Sequence, residues 1–260
     1  MNHLSAFFPD PKGARLHYQY WEDSSKGYDR IALVLHGLGC HSGSYPNLLP
    51  SFLAARYKIV ALDFAGFGKS PGERGSGGVL AMADAIEALC RRIEATEGGR
   101  EIEIVAHSMG AVAALLFLKR YPARRVRLVA LSPLLYGVPV DATAEALAAD
   151  ETQRKRLEAD PLFAASIPNA LASDIDAAAK EILADPSFLE GRKAAFFAGE
   201  DDQIVPFETL KKTVDTLPLK DGRFGSFPRE RHEILGGARG DKAIADILAW
   251  LDETRFEYRH

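Results

Sequence analysis

The chain has 260 residues, of which 47% are hydrophobic and 26% are charged, as is ordinary for a globular protein built around one sheet. Its net charge of −4 has the wrong sign for a protein that binds nucleic acid through bulk electrostatics. The two cysteines form no C-x-x-C motif, the N-terminus has no signal-peptide pattern, and no stretch approaches about 20 apolar residues. These features predict a cytoplasmic protein with reduced thiols and no transmembrane segment.

Short apolar runs recur along the chain, and each ends in glycine, proline or a polar residue. Runs of this length and β-branched content are typical of strands that are buried on both faces of a parallel sheet. Residues 5–8 and 15–21 alternate between apolar and polar side chains, which predicts an antiparallel edge. The predicted buried strands are 31–35, 58–62, 102–106, 126–131 and 194–198.

Helical patterns lie between these strands. Residues 79–95 place apolar side chains on one face at i, i+3 and i+4 spacing, and residues 109–121 are nearly all apolar up to Pro122. Residues 207–217 and 241–254 supply two further helices. Strands that alternate with helices predict an α/β fold with a mostly parallel central sheet and helices on both faces.

One segment, residues 134–187, has no strand-like run. It is rich in alanine, helical in pattern and divided by Pro161, Pro168 and Pro186. Ordinary crossover helices need fewer residues than this, so we interpret the segment as a helical cap over the strand ends, where ligands bind. The predicted organisation is a core of residues 1–133 and 188–260 with a cap, or lid, of residues 134–187.

Ser108 has the setting of a nucleophile. It follows the predicted strand 102–106 and directly precedes a helical pattern. A serine at such a turn stands exposed above the sheet, and the tight turn requires small neighbours such as Ala106 and Gly110. The helix that begins at Met109 also points its positive end at the reaction centre.

His232 is the predicted base, because a serine hydroxyl needs one to remove its proton. It comes after the nucleophile and an acidic cluster. It also lies between the weakly hydrophobic residues 221–231 and the last predicted helix, which predicts a loop position for His232. The other histidines lie near the chain ends, in the N-terminal edge, or before both the nucleophile and the acid. They are His3, His17, His36, His41, His107 and His260.

An acid must hold the imidazole in the correct tautomer. Glu200, Asp201 and Asp202 follow the predicted strand 194–198, where such an acid is expected. The spacing Gly-x-x-Asp-x-x-Val favours Asp202, and Asp201 and Glu200 remain alternatives.

Acyl transfer also needs amide donors that stabilise an oxyanion. We expect one donor to be the backbone of Met109, the residue after the nucleophile. The second is the backbone of Leu38, in the glycine-rich loop His36-Gly37-Leu38-Gly39. His36 itself is expected to brace this loop rather than to catalyse.

Gly68-Lys69-Ser70 has the appearance of the end of a phosphate-binding loop. That motif requires glycine five positions before Gly68, where this chain has Asp63. No pair of histidines has the helical spacing of metal ligands. The sequence therefore predicts no cofactor and no metal.

Five motifs in this order span residues 31–233: H-G-L-G, D-F-A-G-F-G-K-S, A-H-S-M-G, G-E-D-D-Q-I-V-P and R-H-E. The set resembles the α/β-hydrolase superfamily and, within it, the monoacylglycerol lipase and lysophospholipase group. The resemblance implies an α/β-hydrolase fold, a catalytic triad of Ser108, Asp202 and His232, and an oxyanion hole formed by the amides of Leu38 and Met109. Glu233 and the run Asp160-Pro161-Leu162 also resemble that subgroup.

The predicted activity is hydrolysis of a carboxylic ester through an acyl-enzyme. The apolar composition of the predicted cap favours a single acyl chain, as in a monoacylglycerol or a lysophospholipid. The same triad supports small-ester hydrolysis, amide hydrolysis or acyl transfer, and a non-catalytic receptor is an alternative that the intact triad argues against. The basic run Arg154-Lys155-Arg156 is a candidate phosphate site, but its acidic neighbours favour a helix face that points to solvent. The oligomeric state stays open.

Overall fold

The computed structural model describes residues 1–138, 142–220 and 222–255. Eight strands form one sheet: β1 (Asn2–Pro9), β2 (Arg15–Glu22), β3 (Arg30–Leu35), β4 (Tyr57–Leu62), β5 (Glu101–His107), β6 (Arg127–Leu131), β7 (Ala194–Gly199) and β8 (Arg223–Phe227). Their order across the sheet is β1-β2-β4-β3-β5-β6-β7-β8. Only the pairs β1–β2 and β2–β4 are antiparallel within this sheet, so the carboxyl ends of β3 to β8 share one edge.

Helices cover both faces of the sheet. They are α1 (Leu48–Ala54), α2 (Gly78–Glu97), α3 (Met109–Arg120), α4 (Ala144–Leu147), α5 (Glu151–Glu158), α6 (Asn169–Ala184), α7 (Phe207–Val214) and α8 (Gly240–Glu253). Alternate residues of β3 point to opposite faces, so Leu33 packs with α2 and α3 whereas Val34 packs with α1 and α8. All of β3 is therefore buried, which explains its continuous apolar sequence.

The predicted α/β fold with a mostly parallel sheet is confirmed, and each predicted strand is present with slightly different ends. Strand β8, which lies within the weakly hydrophobic residues 221–231, was not predicted, and Asp221 is outside the described residues. β8 pairs with β7 at one edge of the sheet, and all of its residues except Phe227 are partly or fully exposed. A strand in that position needs no long apolar run. Helix α1 was also not predicted.

The segment 134–187 contains helices α4, α5 and α6 and no strand among its described residues, with 139–141 lying outside them. Helix α6 packs against α2 and α3. Helices α4 and α5 instead reach the loop that carries His232, where the Glu233 amide donates to the Leu147 carbonyl at 3.0 Å. The limits of a cap at 134 and 187 stay a prediction. Across the described ranges, no helix is both long and apolar enough to cross a membrane.

Candidate active site

Ser108 occupies a strained turn between β5 and α3. Its φ of +54° lies in the left-handed region, which a residue with a side chain enters at a cost. The surrounding structure holds it there, because the Ser108 amide donates to the Leu131 carbonyl at 2.8 Å and its own carbonyl accepts from Ala111 at 3.0 Å. A Cβ at Gly110 would lie 2.6 Å from the His36 carbonyl oxygen, so α3 can approach β3 this closely only with glycine there. The predicted requirement for a small residue at position 110 thus has a steric cause.

His232 lies between Ser108 and Asp202. Its Nε2 is 2.7 Å from Ser108 Oγ, and its Nδ1 is 2.8 Å from Asp202 Oδ2. The other Asp202 oxygen accepts from the amides of Ile204 and Val205 at 2.8 and 2.9 Å. Burial alone would raise the pKa of Asp202, but His232 and these amides lower it below its usual value. The ionised carboxylate can only accept, so Nδ1 carries the proton and Nε2 is free to accept from Ser108.

The two other acidic residues of the cluster point away from this line. Glu200 is exposed and accepts from the Ser226 hydroxyl at 2.7 Å. Asp201 is also exposed, and its amide donates to the Glu230 carbonyl at 3.0 Å. Among the described residues, Asp202 is thus the member of the cluster that reaches His232.

The loop 36–39 lies directly against Ser108. A Cβ on Gly37 would come within 2.5 Å of His107 Nδ1 and 3.0 Å of Ser108 Cβ. His36 braces the loop as predicted, because Nε2 accepts from the Phe64 amide at 3.1 Å and Nδ1 donates to the Gly37 carbonyl at 2.8 Å. Burial lowers the pKa of His36 to about 4, which keeps it neutral.

The two amides predicted to bind an oxyanion belong to Leu38 and Met109, which directly follow Gly37 and Ser108. Within the described ranges, neither the Leu38 nor the Met109 amide donates to another group of the protein. Met109 is the first residue of α3, so its N–H is one of the unsatisfied donors of a helix start. Both donors are therefore free for a ligand.

His107 is a member of the site that the sequence analysis did not identify. Its Nε2 donates to the His232 carbonyl at 3.1 Å, and its Nδ1 accepts from the Tyr45 hydroxyl at 3.0 Å. Tyr45 in turn accepts from the Gly37 amide at 3.0 Å. Burial and the neighbouring His232 lower the pKa of His107 to about 3, so it stays neutral. This chain of hydrogen bonds fixes the loop 36–39 relative to His232. The position of His107 directly before Ser108 was the sequence signal that could have identified it as a member of the site.

The predicted cap reaches the loop of His232 through Glu233. The buried Glu233 carboxylate accepts from Gln153 Nε2 at 2.6 Å, from Arg156 Nη2 at 3.4 Å and from the Leu235 amide at 2.9 Å. Burial raises the pKa of this carboxyl group.

The basic run of α5 is therefore only partly directed to solvent. The Arg154 and Lys155 side chains are 42% and 68% exposed and pair with Glu158 and Glu151 at 3.9 and 2.7 Å, so both reach solvent as predicted. The prediction is wrong for Arg156, because the buried Glu233 carboxylate, 3.4 Å from Arg156 Nη2, attracts its guanidinium inward.

A second part of the segment 134–187 touches the loop 36–39. The Ala164 amide donates to the Gly39 carbonyl at 3.0 Å. His41 Nε2 lies 2.8 Å from Asp160 Oδ2, a residue of the predicted subgroup motif. The segment consequently contacts both the loop beside Ser108 and the loop beside His232.

The Gly68-Lys69-Ser70 turn closes around a side chain of the protein itself. Asp63 accepts from the amides of Lys69 at 2.9 Å and Ser42 at 2.6 Å, and the Ser70 hydroxyl donates to the Asp63 carbonyl. A carboxylate thus takes the place that a phosphate has in a phosphate-binding loop. In the described ranges, no cluster of three or more His, Cys, Asp or Glu could hold a metal ion.

Comparison with solved structures identifies the fold that carries these residues. Structures of a monoacylglycerol lipase from Paleococcus ferrophilus and of a soluble monoglyceride lipase variant from Saccharomyces cerevisiae superpose with TM-scores of 0.78 and 0.84. They are 22% and 16% identical to this chain, cover 97% and 95% of it, and are themselves covered to 99% and 94%. This chain has the α/β-hydrolase fold.

Sequence relatives point in the same direction as the fold. A monoacylglycerol lipase from Mycolicibacterium smegmatis is 22% identical over 271 aligned positions, which cover 92% of this chain and 93% of that protein. The sequence model of the serine aminopeptidase S33 family matches residues 28–144. These matches confirm the predicted resemblance to the α/β-hydrolase superfamily and its monoacylglycerol lipase-like members.

Proposed function

We propose that this chain is a serine hydrolase that cleaves carboxylic esters of a single acyl chain through an acyl-enzyme. The observation that carries the proposal is the line from Ser108 Oγ through His232 to Asp202, with spacings of 2.7 and 2.8 Å, beside two free amides. The similarity to lipases supports an ester as the substrate.

Acylation begins when Ser108 Oγ attacks the ester carbonyl and its proton passes to His232 Nε2. Asp202 stabilises the resulting imidazolium, and the Leu38 and Met109 amides bind the oxyanion of the tetrahedral intermediate. The intermediate collapses as the C–O bond to the alcohol breaks and His232 returns the proton to the leaving oxygen. Water then repeats the sequence, so the acid is released and Ser108 regains its proton.

The surroundings of Ser108 favour a neutral, apolar substrate. Leu134, which is buried, donates its amide to the Ser108 carbonyl at 3.3 Å, and the ring of Phe163 lies beside Gly39. Each cation of the run 154–156 faces a carboxylate. A phosphate would have to displace one of these partners. We therefore propose a monoacylglycerol in preference to a lysophospholipid.

The test compares kcat/KM for a monoacylglycerol and a lysophospholipid of equal chain length, with an aminoacyl amide as a third substrate. We expect the neutral ester to be cleaved at least as well as the phospholipid and far faster than the amide. A strong preference for the phospholipid that is lost in an Arg154→Met, Arg156→Met double variant would contradict the assignment, and so would a preference for the amide.

A non-catalytic receptor is tested separately. A fluorophosphonate probe should label the protein rapidly at Ser108, and the Ser108→Ala variant should bind substrate without turnover. Slow labelling of the wild-type protein, combined with negligible ester turnover, would favour a receptor over an enzyme.

A further inference from the structure

Ser5, His17 and Asp63 form a second Ser–His–Asp line away from Ser108. Ser5 Oγ is 2.6 Å from His17 Nε2, and His17 Nδ1 is 2.7 Å from Asp63 Oδ2. The corresponding distances at Ser108 are 2.7 and 2.8 Å. The His17 and Asp63 side chains are each only 1% exposed, whereas Ser5 is open to solvent.

The register of the antiparallel edge produces this line. On β1, Ser5 lies opposite Gln19 of β2, two positions from His17, so both side chains are on the same face. On the other side of β2, the Asp63 amide donates to the His17 carbonyl at 2.9 Å just beyond the end of β4. Phe7 packs edge-on against the His17 ring at 5.3 Å between centroids. The imidazole is thus held from three sides.

The hydrogen bonds define where the proton lies. Burial alone would raise the pKa of Asp63, but His17 and the amides of Lys69 and Ser42 bring it down to about 2. An ionised Asp63 can only accept, so His17 Nδ1 carries the proton and Nε2 accepts from the Ser5 hydroxyl. An exposed hydroxyl whose proton faces the bare nitrogen of an oriented imidazole has the arrangement of an activated nucleophile.

The helix-start amide of the Ser108 site has no counterpart at Ser5 among the described residues. Ser5 lies within the extended strand β1 rather than at the start of a helix, so it lacks a donor equivalent to the Met109 amide. Loss of one oxyanion donor costs about 10²–10³ in rate. Reaction at Ser5 is therefore restricted to acyl donors with good leaving groups. Hydrolysis of the product passes through the same unsupported oxyanion, so the acyl-serine accumulates.

We propose that Ser5 is a second acyl-accepting serine, which reacts once with short-chain aryl esters and similarly activated acyl donors. The Ser5 Oγ–acyl bond forms as the ester C–O bond breaks, and the serine proton passes through His17 Nε2 to the leaving phenolate. This reaction is independent of Ser108 and of the ester hydrolysis proposed above.

The experiment treats the Ser108→Ala protein with p-nitrophenyl acetate and measures acetylation of each peptide by mass spectrometry. Alkaline hydroxylamine removes acetyl esters and leaves acetylated amines, so it separates Ser5 from the N-terminus and lysines. Ser187 is the internal control, because it is also exposed but its hydroxyl donates to Asp185 instead of a histidine. We expect at least tenfold more acetyl ester on Ser5 than on Ser187.

Two comparisons show whether His17 is responsible. His17→Gln should reduce acetylation of Ser5 to the level of Ser187. Acetylation of the Ser108→Ala protein in concentrated urea should equalise the two serines without any further substitution, because unfolding separates Ser5 from His17. Equal acetylation of Ser5 and Ser187 in the folded protein would overturn the proposal, and so would a Ser5 excess that persists in urea.

Discussion

Gln153 donates from one side-chain nitrogen to two oxygens of Glu233, the backbone carbonyl at 2.7 Å and the carboxylate at 2.6 Å. The Gln153 side chain is itself fixed, because its oxygen accepts from the Ala149 amide at 2.9 Å. Since Glu233 directly follows His232, helix α5 is connected to the proposed base by a pair of short, buried hydrogen bonds. We infer that α5 helps to position His232.

Replacing Gln153 tests this positioning. Gln153→Leu keeps a side chain of similar size but leaves the buried Glu233 carboxylate without its shortest side-chain donor, which costs about 1–3 kcal/mol. We expect kcat to fall by roughly tenfold with a smaller change in KM, measured alongside the free energy of unfolding. A loss of stability with unchanged kcat would show that the contact is structural only.

Arg156 and Arg154 offer a matched pair on the same helix. Arg156 pairs with buried Glu233 at 3.4 Å, whereas Arg154 pairs with exposed Glu158 at 3.9 Å. Arg156→Met should lower ester kcat/KM severalfold, and Arg154→Met should leave it within twofold because exposed pairs contribute about 0–1 kcal/mol. Equal effects of the two variants would remove Arg156 from any role at the site.

The acidic cluster makes a second matched pair. Asp202→Asn should reduce kcat by about 10⁴, because an amide at this position favours the wrong imidazole tautomer. Asp201→Asn should have little effect, since its side chain is exposed. The measurement is kcat of the two purified variants. A larger loss in Asp201→Asn than in Asp202→Asn would show that Asp201 is the acid.

Ser108 and His232 should behave as one unit. Ser108→Ala and His232→Ala should each lower kcat by on the order of 10⁴-fold or more, and the double variant should be no slower than either. Circular dichroism should show that all three remain folded. Additive losses in the double variant would mean that the two residues do not act on the same proton.

The predicted strands were recognisable because β3 to β7 are buried on both faces and read as continuous apolar runs. β8 could not be recognised this way, because an outer strand is packed on fewer sides and Arg223 is exposed. The candidate residues Ser108, Asp202 and His232 could also be selected from the sequence, by their motifs and their order along the chain. Contacts between segments that are distant in sequence could not be predicted, since nothing in the local sequence of α5 shows that Arg156 turns toward Glu233. The bond between His107 and the His232 carbonyl was hidden for the same reason.

The pKa of Asp63 predicts a pH dependence of stability. Its folded pKa of about 2 lies below the unfolded value of about 3.9, so its stabilising contribution is fully present above pH 5 and is lost as the pH falls toward 2. The contribution is roughly 2–3 kcal/mol, at about 1.4 kcal/mol per pH unit.

Urea unfolding of wild type and Asp63→Asn from pH 7 to pH 2 measures this contribution. The difference in the free energy of unfolding should be constant down to about pH 5 and should shrink below pH 4. Asp29→Asn is the control, because its exposed pair with Arg56 at 3.6 Å should contribute little at any pH. If the difference in the free energy of unfolding between wild type and Asp63→Asn does not shrink below pH 4, the lowered pKa of Asp63 is contradicted.

The distance along the chain between the proposed nucleophile, Ser108, and the proposed base, His232, has a consequence for synthesis. His232 follows Ser108 by 124 residues, so translation at about 5–20 residues per second separates them by about 6–25 s. During that interval the nascent chain carries a serine whose hydroxyl has no base to accept its proton. The hydrolysis proposed at Ser108 can begin only when the His232 loop has left the ribosome and docked beside β5. A ribosome-bound or prematurely terminated chain that ends before residue 232 therefore lacks the base of the reaction proposed at Ser108.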